Sequence, residues 1–326
     1  MFRGLRVIHH RPNWNTTPWQ HTLARETQCD GVGVHSGAPV RLRLIPAAPD
    51  HGIVFRRVDL PGRPEMVARF DRVVDTALCT CLGDGDMRIA TVEHLMAALA
   101  GQGVDNLVIE IDGAEVPVMD GSSAPFVALI AEAGLELQRS PRRHVRVLRP
   151  VEVRRGNKFA ALLPTQDDHL TIDLAIDFDS SVIGRQSLAF ALKGNAFSAE
   201  LAQARTFGFA HEVEAMRARG LGRGGSLENA VVIGDDGVLN PGGLRYDDEF
   251  VRHKALDALG DLYLAGAPIL GRFLGERAGH MMHIEVLKAL FADEANWTLT
   301  TSTAPIALPR RKVAMGGSAL AGAAAE

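Results

Sequence analysis

Apolar residues recur with helical spacing through 249–261, where Phe250, Val251, Ala255, Leu256, Ala258 and Leu259 fall on one stripe. That period predicts an amphipathic helix. A second helix is expected over 91–100, with Thr91 as N-cap, His94, Leu95, Ala98 and Leu99 along one face, and Gly101 as its stop. A third should begin in Asp120-Gly-Ser-Ser-Ala-Pro125, with Ser123 capping and Pro125 in the first turn, and should end near Glu132 before Gly134. Shorter helices are expected over 198–203 and 283–292. Alternating or continuous apolar runs predict strands at 40–45, 52–58, 106–111, 145–153, 158–163, 170–176, 229–233, 269–273 and 297–302. The Gly-rich passage 219–226 reads as irregular.

Each half of the chain thus runs through strands and helices with insertions. The fold class expected is α+β, two related α/β units rather than one doubly wound sheet. The divisions are a flexible extension over 1–18, a first domain over 19–138, a linker at 139–143, a second domain over 144–312 and a disordered Ala/Gly tail over 313–326. The linker is placed where composition turns basic and Pro-containing, at Gln138-Arg-Ser-Pro-Arg-Arg143.

Composition narrows the class further. With 46% hydrophobic and 23% charged residues the 326-residue chain reads as a globular protein. A net charge of −4 argues against a nucleic-acid binder. No apolar run approaches the ~20 residues that span a bilayer, and the N-terminus lacks the apolar core of a secretory signal. The three cysteines, Cys29, Cys79 and Cys81, form no disulfide framework, which fits a cytoplasmic location.

Four groups of residues could carry chemistry. His253 and Asp257 lie one turn apart on the predicted helix, where an imidazole and a carboxylate can share a metal or simply pair at the surface. Adding His94 would give two nitrogens and one oxygen, with a fourth position open as in catalytic zinc sites. Glu93, beside His94, could serve as the free carboxylate that a metallohydrolase uses as general base, or be a solvated side chain. His280 follows Gly279, with a second imidazole at His283; such a histidine could be a general acid or phosphate partner or simply an exposed loop side chain, and Asp261 could orient and charge it. In Ala204-Arg-Thr-Phe-Gly-Phe209, a strand would put Phe207 and Phe209 on one side and Thr206 on the other, a pocket wall or plain core. P-loop, dinucleotide-binding and G-x-S-x-G patterns are all missing from the sequence.

Taken together, several segments resemble the zinc-dependent UDP-3-O-acyl-N-acetylglucosamine deacetylases of lipid A biosynthesis. They are Gly31-Val-Gly-Val-His-Ser-Gly37, Leu78-Cys-Thr-Cys-Leu82, Thr91-Val-Glu-His-Leu95, Gly103-Val-Asp-Asn-Leu107, Val118-Met-Asp-Gly-Ser-Ser-Ala-Pro-Phe126, Ala204–Phe209, Gly224-Gly-Ser226, Asp248-Glu-Phe-Val-Arg-His-Lys254 with Asp257 and Asp261, and Gly279-His280. They occur in order, from about Gln20 to about Pro309. The loop 82–88 looks one residue short against that pattern.

The resemblance implies two similar two-layer α/β sandwich domains packed face to face, each with an insert. The second insert, about 206–228, would form an apolar tunnel for an acyl chain. It implies zinc on His94, His253 and Asp257, and the ligand types would also suit iron(II). It also implies Glu93 as general base, His280 as general acid oriented by Asp261, and Thr206 at the oxyanion. Lys254, Phe207, Phe209, Lys158 and His35 would meet the substrate, a UDP-sugar carrying an acyl chain. The implied reaction, the committed step of lipid A biosynthesis in Gram-negative bacteria, removes the N-acetyl group to leave acetate and a free amine. A monomer that at most touches a membrane surface transiently, with no nucleic-acid partner, completes the expectation.

Overall fold

A computed structural model describes residues 17–301. The expected tail and all but the last two residues of the expected extension lie outside them. Among the described residues there are five α-helices: α1 (Glu93–Gln102), α2 (Ala124–Ala133), α3 (Ala210–Ala218), α4 (Glu249–Tyr263) and α5 (His280–Phe291).

The first half is built on a five-stranded mixed sheet in the order Thr27–Val32, Pro39–Pro46, Leu107–Ile111, Ile53–Arg57, Glu65–Val67. Strand Pro39–Pro46 alternates, turning Val40, Leu42 and Leu44 into the core. Leu107–Ile111 is buried at every position, as a central strand covered on both faces must be. The second half carries a seven-stranded sheet. Its main path runs Val151–Arg155, Lys158–Leu163, Ile269–Glu276, His144–Val147, Trp297–Thr300, while Leu170–Asp177 joins Ile269–Glu276 in parallel and pairs Arg185–Ala191. Strand Leu170–Asp177 buries Leu170, Ile172, Leu174 and Ile176 in strict alternation. Two mixed α/β regions, each with inserted elements, match the expected class. The first insertion is a small antiparallel sheet, Val73–Asp75, Cys81–Asp84 and Met87–Ile89, and it contains the short loop 82–88 as a hairpin. The second holds α3 and the parallel pair Phe207–Phe209 and Val231–Ile233.

The halves meet through helices. Helix α1 packs on α2 and on α4, and α4 in turn packs on α5. The contact between α1 and α4 is backbone-close at Gly260, where an added Cβ would stand 2.0 Å from the carbonyl oxygen of Glu93. No other residue fits there.

Several local expectations shift. Thr91 does not cap α1: it sits at φ +58°, and the helix opens at Glu93 without a side-chain cap. Gly101 stays helical against the Phe197 ring, and Gly103, at φ +73°, ends the helix in the left-handed region. Ser123 precedes α2 as expected, but its hydroxyl donates to the carbonyl of His94, 2.7 Å away, instead of capping. The strand expected over 145–153 breaks in two around Arg149-Pro150, since proline offers the ladder no donor. The segment over 198–203 is a π-helical turn, Phe197–Leu201. The basic segment expected as a linker begins inside strand Leu135–Pro141, which pairs with Trp19–Leu23, and Arg142 is buried in an ion pair with Asp105 at 2.7 Å. Helix α3 and strand Arg185–Ala191 had no sequence expectation.

Candidate active site

The stripe on α4 buries its apolar residues and carries His253, Asp257 and Asp261 inward with them, all nearly inaccessible. Helix α1 meets this face with Glu93 and His94 in its first turn. The positive φ at Thr91 turns the chain sharply into α1, and the Thr91 hydroxyl donates to the buried Glu115 carboxylate at 3.2 Å. His94 Nε2 lies 3.6 Å from Asp257 Oδ1, His253 Nε2 3.3 Å from the same atom, and the two rings meet edge to face at 4.9 Å. The donor atoms of the three residues all lie within 4.8 Å of one another.

The donor set fits a divalent cation. Asp257 Oδ1 is buried with no hydrogen-bond partner, a costly arrangement unless a cation completes it. His253 Nδ1 lies 3.1 Å from the carbonyl of Ala204, so that atom donates and Nε2 is left with its lone pair toward the centre. Burial pushes His253 down to about 3, which keeps the ring neutral as a ligand requires. Burial would raise Asp257, but the Lys254 ammonium, with Nζ 2.9 Å from Oδ2, holds it well below the usual carboxylate range.

Next to this centre stands an acid–base pair. Glu93 Oε2 accepts from the Thr80 N–H at 3.0 Å, and Oε1 faces His280 Nε2 at 3.8 Å. Burial pushes the Glu93 carboxyl up, opposed by His280 and His94. His280 opens α5, three residues before His283, so both rings project from one face. Each Nδ1 lies 2.8 Å from Asp261 Oδ2, while Asp261 Oδ1 accepts from the Thr80 hydroxyl at 2.6 Å. Burial alone would lower His280, but Asp261 and Glu93 overcome it and raise the imidazole to about 9.

A cavity of about 440 Å³ opens from Glu93 and His94. Thr206, Phe207 and His35 line it, together with Val213, Met216, Leu227 and Val232 of the second insertion and the charged Glu212, Glu214 and Arg217. Thr206 is pinned by its N–H to the carbonyl of Gly121 and by its own carbonyl accepting from Val231, both at 2.8 Å. The Lys254 ammonium stands 5.5 Å from the centre of the Phe207 ring, which also meets Phe250 at 5.0 Å. Phe209 and Lys158 are not in the lining. Phe209 packs toward Phe178 and His211, and Lys158 is exposed at the start of its strand. Another cavity, of about 560 Å³, is bordered by Asp50, Arg69, Tyr263 and Trp297 and includes none of the expected site residues.

Thr80 gave no signal of its own in the sequence. A single threonine before a short strand has no periodicity or spacing to mark it; only its place in Leu78–Leu82 associates it with the site.

A buried His/His/Asp donor set with a carboxylate and a charged imidazole alongside defines a metal-dependent hydrolase. Comparison with known proteins narrows this to one group. Residues 20–292 match the model of the LpxC family, UDP-3-O-acyl N-acetylglycosamine deacetylase, and the chain belongs to that family. Among its relatives are UDP-3-O-acyl-N-acetylglucosamine deacetylases of Phenylobacterium zucineum, 50% identical over 87% of this chain and 97% of the relative, and of Anaeromyxobacter sp., 47% identical over 93% and 97%. That of Myxococcus xanthus is 45% identical over 93% of this chain and 95% of its own length.

Proposed function

We propose that His94, His253 and Asp257 hold zinc, or iron(II) on the same donors, and that the groups around them carry out the deacetylation. The activity of the chain is the deacetylation of UDP-3-O-acyl-N-acetylglucosamine in lipid A biosynthesis. Its products are acetate and the free amine. The observation that carries the assignment of roles is the orphaned Asp257 Oδ1 beside two histidines, with Glu93 and His280 facing each other across 3.8 Å.

A divalent ion held by His94, His253 and Asp257 would supply Lewis acidity at this point. Glu93 takes one proton from the attacking water as the new C–O bond forms. Thr206, fixed at the cavity wall, donates its hydroxyl to the tetrahedral oxyanion, a contribution of roughly 3–4 kcal/mol in comparable sites. His280 delivers its Nε2 proton to the departing nitrogen as the C–N bond breaks, and Asp261 keeps the ring aimed and charged. Lys254 and Phe207 flank the substrate, His35 contributes to the cavity wall, and Phe209 and Lys158, outside that lining, meet the sugar-nucleotide part. The apolar stretch along Val213, Met216, Leu227 and Val232 receives the acyl chain.

The working unit in this reading is a monomer. The unpaired cysteines support a cytoplasmic location, and no helix among the described residues is long and apolar enough to cross a membrane. Chelation with dipicolinate followed by zinc titration tests the reading: acetate release should vanish and return. Chelator-insensitive release would exclude the metal's role.

A further inference from the structure

Two imidazoles share one oxygen of Asp261, and the mechanism above uses only one of them. His283 is fully buried, its Nδ1 is 2.8 Å from Asp261 Oδ2, and its Nε2 meets no partner. The ring therefore acts through Nδ1–H, as a donor to the carboxylate. The Thr80 hydroxyl donates to the other oxygen at 2.6 Å. We infer that His283 and Thr80 are positioning residues for the acid: together they fix the Asp261 carboxylate that orients His280. The inference rests on the reading of His280 as the acid.

The physical argument is one of competition. A carboxylate with a single donor can rotate about its Cβ–Cγ bond and can concentrate its charge on that donor. With Thr80 on Oδ1 and His283 on Oδ2, the plane of Asp261 is set by groups from the first half and from α5. His280 must then present Nε2 toward Glu93, where the leaving group is handled. The two extra donors also spread the carboxylate charge, so Asp261 grips the His280 proton less tightly than it would alone. An acid must release its proton to be useful. The charged and titratable groups facing His280 are Asp261 and Asp257 from α4, Glu93 from α1 and His283 from its own helix. Of these, His283 acts on it through the shared carboxylate. Thr80 adds a second link, because its N–H holds Glu93 while its hydroxyl holds Asp261. One residue thus couples the base to the acid's support.

The test uses metal-loaded protein labelled with ¹⁵N-histidine. His283→Leu and Thr80→Val should each raise the NMR titration midpoint of His280 by roughly one pH unit, a tenfold change in its ionisation. Each should lower kcat roughly tenfold or more while KM stays within about twofold, since aim is lost and binding is not. Thr80→Ser keeps the hydroxyl, and His283→Asn places an amide N–H about where Nδ1 stood, so both should restore the midpoint and most of kcat. Should His283→Leu not fold, Thr80→Val and Thr80→Ser carry the comparison alone. A His280 midpoint and kcat unchanged in both donor-less variants, or a loss not rescued by serine and asparagine, would overturn the inference. If His280→Gln itself keeps full kcat, the acid assignment fails and takes this inference with it. If His280→Gln is impaired and the donor variants are not, only the inference falls.

Discussion

Glu93 Oε1 and His280 Nε2 stand 3.8 Å apart, the first on α1 of the first half and the second on α5 of the second. Burial pushes the carboxyl up and neighbouring carboxylates raise the imidazole, so the two groups differ in their hold on a proton by virtue of where they sit. On the proposed mechanism, one takes the water proton and the other gives a proton to the leaving nitrogen. The pair needs both halves to exist.

Glu93→Gln should retain bound metal but lose about 10²–10⁴-fold in kcat, the usual worth of a general base. Metal analysis and acetate release on the same sample check this. Wild-type turnover in a metal-replete variant would remove Glu93 from its role.

The rate should fall above about pH 9, as His280 loses its proton. The sign for stability follows the same shift. Because the folded value is raised above the ordinary 6.5, the stabilisation from the His280–Asp261 pair is complete below about 6.5 and drains away as pH rises through about 9. A pH series of kcat and of denaturant midpoints, compared with His280→Gln, measures both. An alkaline fall centred near 6.5 would contradict the charged-imidazole assignment.

Gly260→Ala should destabilise the protein by about 1–3 kcal/mol, because its new methyl would meet the Glu93 backbone and force α1 and α4 apart. Urea unfolding would show it, and kcat should drop alongside, since the same shift moves Glu93. Equal stability would mean that the helices can separate freely here.

Longer acyl chains should improve kcat/KM by about 0.8 kcal/mol per methylene, roughly fourfold, until the cavity end is reached. Val213→Trp, which intrudes into that cavity, should shorten the preferred chain. A flat response to chain length in both proteins would place the acyl group elsewhere.

Much of this arrangement was legible because burial and chemistry shared a helical period. On α4 the apolar stripe announced the helix, and His253, Asp257 and Asp261 stood at turns of the same face. Their convergence with His94, Glu93 and His280 was not a matter of period, since it depends on how α1, α4 and α5 pack together; the ordered motifs carried that part. Helix α3 escaped because none of its residues is fully buried and its composition is charged, which leaves no stripe to find. Gly101 misled as a stop because a glycine can be chosen for close packing as readily as for a turn, and Phe197 occupies the space its side chain would take. Thr80 and Glu115 act through hydrogen bonds between segments distant in sequence, and no local pattern records such bonds.

The contact of α1 with α4 also orders events during synthesis. When the first half has left the ribosome it carries Glu93 and His94, yet the other two donors, at 253 and 257, are still to be translated. The three side chains can therefore meet only once α1 and α4 have docked, so the cluster is a product of the joined halves and belongs to neither alone.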